Sequence, residues 1–217
     1  MSDFIPRARI EAAAIGLWHA HRLAAGFEVD DLVDGLDLSF LWEPIEAVSG
    51  RRVAAELRPD AGLIVLNEDL RALLEGNRGF YRFTVAHEVG HWELHAQPSR
   101  SGAQTLFAGT GGPVLCRHLE FGRDTDQPAL PASEARREWQ ANLFATYLLA
   151  PGEVFRAVFR VTDCDGWLAV ESLAEQLGLS RRATLVRLQE EKLGYLDHVN
   201  IPRAGVRPHR GQTSLGL

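Results

Sequence analysis

The stretch AHEVGHWELH, Ala86 to His95, holds three of the chain's eight histidines, spaced four residues apart, with a glutamate directly after the first. Four helical residues advance about 400°, so His87 and His91 fall within ~40° of each other, one turn apart on one helix face. Two imidazole nitrogens placed this way can meet a single Zn²⁺ at roughly 2.0–2.1 Å each. Glu88 is rotated about 100° from His87. There a carboxylate stands beside the ion rather than on it, able to accept the proton of an attacking water. Zinc lowers the pKa of its water toward ~7 and polarises the carbonyl under attack. H-E-x-x-H alone turns up by chance in on the order of a few per cent of chains this long, so its surroundings decide.

His95 lies one turn further on, its Cα about 12 Å from that of His87. No glycine stands between Trp92 and His95 to break the helix. Ligands on three successive turns of a straight helix rarely converge on one ion. His95 is therefore read as a helix-end histidine favoured by the dipole, or as a hydrogen-bonder at the site's edge, with ligation the lesser alternative. A third ligand is sought in REWQANLFATYLLAP, Arg137 to Pro151. Glu138 and Asn142 share a helix face there, and Ala141 and Ala145 are small enough to let another helix approach. Glu138 would complete a His₂Glu set and leave a fourth position for water. Its ordinary alternative is a solvated helix carboxylate.

Working outward, Ile10, Ala13, Ala14, Leu17 and Ala24 predict a first helix over about Pro6 to Ala25. Strands are expected at Leu36 to Glu43, at RVAAELRP, Arg52 to Pro59, and at Gly62 to Asn67. The last two flank a Pro-Asp-Ala-Gly turn and predict a hairpin. Asn67 is a cap for a helix through Leu74. The run FYRFTVAHEVGHWELHA is expected as one helix with Val85, Val89 and Trp92 as its buried stripe. Gln97 to Ser133 is rich in Gly, Pro, Ser and Asp and is expected as an irregular insertion with one short apolar piece, PVLCRHL. A helix follows from Ser133, its expected N-cap, to Pro151, which stops it. Further helices are expected at about Pro151 to Phe159, Val170 to Leu177 and Ser180 to Lys192, with a flexible tail from Asn200.

RFTVAHEVGHWELH, Arg82 to His95, followed by EWQANLFATYLLAP, Glu138 to Pro151, resembles the ImmA/IrrE family of bacterial and phage metallopeptidases. The resemblance extends over roughly Phe27 to Leu196, with GLIVLNEDL as the hairpin strand ahead of the motif helix. It implies that His87, His91 and Glu138 bind zinc and that Glu88 is the catalytic glutamate. It implies that Asn142 orients a ligand from behind. Gln140 and Ala150 stand where many members carry Glu and Met, and the insertion is longer than in compact members. Family members cleave helix-turn-helix repressors, which releases mobile-element, prophage or stress-response genes. The implied substrate is such a repressor, in the cytoplasm.

The implied architecture is α+β: a minimal zincin-like core with a small antiparallel or mixed sheet, residues 1–160 with the insertion at about 97–133. A helix-turn-helix-like region follows over 161–199, then the tail, 200–217. In that region Gly178 makes the turn, Ser180 caps, and the second helix carries Arg181, Arg182 and Arg187. This opens a second reading, a zinc-containing regulator that binds DNA or a repressor without cutting. Glu190 and Glu191 on the same helix, and a formal net charge of −6, weigh against DNA.

Lesser candidates are Tyr147 and His95 as donors to a developing oxyanion. Packing is the plainer role for Tyr147. Cys116, in the insertion, is a candidate ligand that would hold zinc's open position in a latent state, against an ordinary strand cysteine. His118 lies close by. His19, His21 and Cys164 carry no pattern. With 46% apolar and 24% charged residues among 217, the composition is that of a globular protein. Two distant cysteines fit a reducing compartment, and no apolar run approaches the ~20 residues of a membrane helix. Zinc is the expected metal, with Mn²⁺ or Fe²⁺ as substitutes where availability overrides affinity.

Overall fold

The computed structural model describes residues 4–47, 52–96, 114–116, 132–162, 166–196 and 202–204. The chain is α+β. Helix α1 spans Arg7–Ala20 and α2 Val29–Gly35. Strands β1, Ser39–Glu43, β2, Ala55–Arg58, and β3, Leu63–Asn67, precede the short α3, Arg71–Gly76, and α4, Arg78–His91. Strand β4, Val114–Cys116, and α5, Ala132–Leu149, follow. Then come α6, Gly152–Val161, α7, Gly166–Leu177, α8, Arg181–Glu190, and the strands β5, Gly194–Leu196, and β6, Pro202–Ala204.

The sheet is mixed, in the order β1-β3-β2-β4. The expected hairpin forms. β2 pairs antiparallel with β3, and Gly62 supplies the left-handed residue, φ 63°, that the turn needs. β1 runs parallel to β3, and β4 adds antiparallel to β2 with Cys116 opposite Ala55. The Asn67 side chain accepts from the backbone N–H of Asp69 and donates to the Val53 carbonyl at 2.7 Å. It thereby caps a 3₁₀ turn, Glu68–Leu70, ahead of α3. Asn77 caps α4 in the same way through Phe80 N–H.

Helix α4 is central, with α5 against one side and β2 against another. Val85, Val89, Phe144, Ala145 and Leu148 are all fully buried between these layers. Side chains of the Val, Leu and Phe kind contribute roughly 1.5–3 kcal/mol each when so buried. Helix α1 packs along α5, and its Trp18 indole donates to the Leu148 carbonyl at 2.5 Å.

Several expectations are corrected. Helix α1 stops at Ala20 because Arg22 turns left-handed, φ 51°, and Leu23 N–H donates back to Trp18. Helix α5 begins at Ala132, so Ser133 lies in its first turn rather than at its cap. Helix α7 begins at Gly166, ahead of Val170. The motif helix does not continue unchanged to Ala96, because Trp92–Ala96 is a π turn. The tail contributes a strand, with β6 pairing antiparallel to β5. Most of the insertion lies outside the described residues, as do His118 and Cys164 and the side chain of Cys116. Among the described residues no helix is long and apolar enough to cross a membrane.

Candidate metal centre

His87 and His91 project from one face of α4, and their Nε2 atoms are 3.0 Å apart. Glu138, in the first half of α5, brings its two carboxylate oxygens to 3.4 Å from His87 Nε2 and 3.3 Å from His91 Nε2. Both histidines are buried, and Glu138 is 16% exposed. Among the described residues this is the group of His, Cys, Asp and Glu side chains that can hold a metal ion. His95 is not part of it, although its ring lies 5.6 Å from that of His91.

The donor set fits zinc. Four ligands at about 2.0–2.1 Å in a tetrahedron stand about 3.3 Å from one another. Here the two Nε2 atoms are 3.0 Å apart, each lies within 3.4 Å of a different oxygen of Glu138, and one ligand atom from each of the three residues lies within 4.8 Å of the others. Two imidazoles and one carboxylate are also the ligand types of catalytic zinc.

The close approach of the two helices has a local cause. Gly90 lies between the two histidines, and a β-carbon there would stand 3.1 Å from the Ala141 carbonyl oxygen and 3.2 Å from its Cα. Glycine on α4 and alanine on α5 together let the backbones touch, as the small residues at 141 and 145 suggest.

Asn142 sits one turn beyond Glu138 and accepts from His87 Nδ1 at 3.0 Å. That bond keeps the proton on Nδ1 and turns the Nε2 lone pair toward Glu138 and His91. His91 Nδ1 is buried with no such partner among the described residues. Glu88 is fully buried next in sequence to His87, and its charge acts on that histidine.

The electrostatics follow from these contacts. Burial by itself lowers an imidazole pKa. For His87 the hydrogen bond and charge of Glu138, helped by Glu88 and Asn142, outweigh burial and raise it. For His91 burial prevails, with the charge of His87 adding to it, and the pKa is lowered. The two imidazoles are thus shifted in opposite directions, and His87 is the more readily protonated of the pair. Burial would raise the Glu138 carboxyl, but hydrogen bonds and charge from both histidines hold it down at about 2.

Tyr147 is not at this centre. It lies nine residues past Glu138, half a turn around the helix from it. Its hydroxyl accepts from Arg7 Nε, and its ring lies under Arg7 and Arg187, with guanidinium carbons 5.5 and 5.2 Å from its centroid. These contacts tie Tyr147 to α1 and α8, in line with the packing role that the sequence offered for it. Arg187 is likewise placed inside rather than outward. It is 1% exposed and pairs with Glu190 at 3.0 Å and Glu191 at 2.7 Å. Arg181 pairs with Glu171 at 3.0 Å.

Sequence reasoning gave no role to Arg82, which is fully buried five residues before His87 and donates to the carbonyls of Gly178 and Phe27. The available signal was a lone arginine inside the apolar run FYRFTVA.

No family model matches the chain, and no curated protein matches it. Among solved structures the chain is similar to a Mycobacterium tuberculosis transcriptional regulator, at 16% identity and a TM-score of 0.48. The match takes in 83% of this chain and 55% of that one, so the chain spans about half of that protein's length.

Proposed function

We propose that the chain is a zinc-dependent endopeptidase of the ImmA/IrrE kind and that its substrate is a helix-turn-helix repressor. The observation that carries the enzyme reading is the convergence of His87 and His91 with Glu138 from a separate helix, directly beside a buried glutamate. The repressor substrate rests on the motif resemblance alone.

When bound, zinc supplies a Lewis acid that activates water and polarises the scissile carbonyl. His87, His91 and Glu138 would hold it. Asn142 fixes the His87 ring through Nδ1. Glu88 takes the proton of the attacking water and returns it to the leaving amine. It is fully buried beside His87, shielded from bulk solvent. Of the two candidates for the oxyanion donor His95 is preferred, its ring lying 5.6 Å from that of His91 while Tyr147 lies half a turn around α5 from Glu138.

The test compares wild type with Glu88→Gln for zinc content and for cleavage of a helix-turn-helix repressor encoded beside the protein's gene. One zinc per chain in both, with cleavage in wild type alone, supports the enzyme. One zinc in both with no cleavage by either leaves a zinc-containing binding module as the better reading.

A further inference from the structure

Arg82 stands five residues before His87 on α4 and is fully buried. Its Nε donates to the Gly178 carbonyl at 3.2 Å, and its Nη1 donates to the carbonyls of Phe27 and Gly26, the latter at 3.4 Å. Its guanidinium carbon lies 5.1 Å from the Phe27 ring centroid. Gly178 directly follows α7, and the carbonyls at that end carry the negative pole of the helix dipole. The buried cation of α4 thus meets the open end of a helix from the C-terminal pair. Burial, then Arg78, lowers its pKa to about 10, which leaves it charged at neutral pH.

The fit at this joint is close. Gly178 has φ 63°, and a β-carbon there would fall 2.2 Å from Arg82 Nε. On α4, a β-carbon at Gly79 would fall 2.9 Å from the Leu179 carbonyl oxygen and 3.1 Å from Ser180 N. The turn between α7 and α8 is therefore seated on the first half of α4, at Gly79 and Arg82. Helix α8 also reaches α5, because Arg187 packs over Tyr147. The C-terminal pair touches both helices that carry the metal-facing side chains.

We propose that Arg82 is a positioning residue of the metal centre, holding α4 against the α7–α8 turn so that His87 and His91 stay in register with Glu138. This rests on the metal-centre reading above. Metal ligands must be held to within about 0.5 Å, and a slide of α4 carries both imidazoles off the carboxylate together. The α7–α8 pair is then scaffold for the site rather than a separable head.

The test measures zinc affinity by competition with a chromophoric chelator for wild type, Gly178→Ala, Arg82→Met and the double variant. Amide exchange across 83–91 is followed in parallel. Arg82→Lys is the conservative variant, and Leu74→Ala, in a separate small apolar cluster, controls for general destabilisation. Each single variant should lose zinc affinity by about tenfold and exchange faster over 83–91. The double variant should lose no more than either single one. Arg82→Lys should recover part of the affinity, and Leu74→Ala should keep wild-type affinity despite a lower Tm. Wild-type affinity in folded Gly178→Ala, or in folded Arg82→Met, overturns the proposal while leaving the metal centre standing. A wild-type protein that binds no zinc overturns both.

Discussion

Gly90 of α4 lies directly against Ala141 of α5, so closely that a methyl group would fit only if its neighbours gave way by a few tenths of an ångström. Inside a helix, Gly→Ala ordinarily stabilises by up to ~1 kcal/mol. Here the new carbon meets the backbone of α5 and the buried ring of Phe144 at 3.2 Å, and neither is the free end of a flexible side chain. Overpacking of this kind costs ~1–3 kcal/mol. Gly90→Ala is expected to lose roughly 1 kcal/mol net in urea denaturation. It should also bind zinc more weakly, because the helices part at the level of Glu138. Wild-type zinc affinity in this variant would show that the contact does not set the ligand spacing.

Asn142 is expected to tune the metal through His87. Loss of a hydrogen-bond partner behind a ligating histidine typically costs 10–100-fold in affinity. Asn142→Leu removes the acceptor at Nδ1 and should show a loss of that size by chelator competition. Asn142→Asp keeps an acceptor oxygen and should stay near wild type. Equal affinities in both variants would mean that the 3.0 Å contact does not orient the ring.

Zinc should stabilise the protein less as pH falls, and the loss should begin at higher pH than for an ordinary histidine site. The sign follows from His87, whose pKa is raised in the metal-free fold, chiefly by Glu138 acting against burial. That raised value stabilises the metal-free fold at low pH, and the contribution disappears as pH rises through the His87 titration. Zinc needs the same nitrogen deprotonated. The gap in Tm between zinc-loaded and zinc-free protein, followed from pH 8 to pH 5, should therefore narrow steadily. Glu138 stays ionised throughout this range, held down at about 2. A gap independent of pH would place the metal elsewhere.

What was legible in the sequence was local. The two histidines on one helix face, the Pro59–Gly62 turn and the caps at Asn67 and Ser180 each depend on dihedrals and hydrogen bonds within a few residues. Glu138 was reachable because small residues on α5 advertise a close helix neighbour. What was not legible was set by distant partners. Arg82 meets Gly178 across 96 residues, and Tyr147 meets Arg7 across 140. An arginine or a tyrosine in an apolar run carries no local sign of which carbonyl or cation will claim it. The parallel pairing of β1 with β3, and the strand at Pro202–Ala204, likewise depend on what the rest of the chain leaves open.

Arg187 and Tyr147 form a buried brace that joins α8 to α5 and, through Arg7, to α1. Arg187 is enclosed by Glu190, Glu191, Tyr147 and Phe155. Removing one partner of a buried ion pair leaves the other charge uncompensated, at a cost of about 3–5 kcal/mol. Glu190 and Glu191 keep Arg7 and Arg156 as further partners, which places Arg187→Gln at roughly 3 kcal/mol, the low end of that range. Arg181→Ala, at an exposed pair, should stay within ~0.5 kcal/mol of wild type. Tyr147→Phe removes the acceptor for Arg7 and should cost roughly 1–2 kcal/mol while leaving the cleavage rate of the folded enzyme unchanged. A rate drop of a hundredfold or more in stable Tyr147→Phe protein would return the hydroxyl to the chemistry. A near-neutral Arg187→Gln that weakens binding to DNA, with a shallower salt dependence, would turn α8 outward as a phosphate-contacting helix.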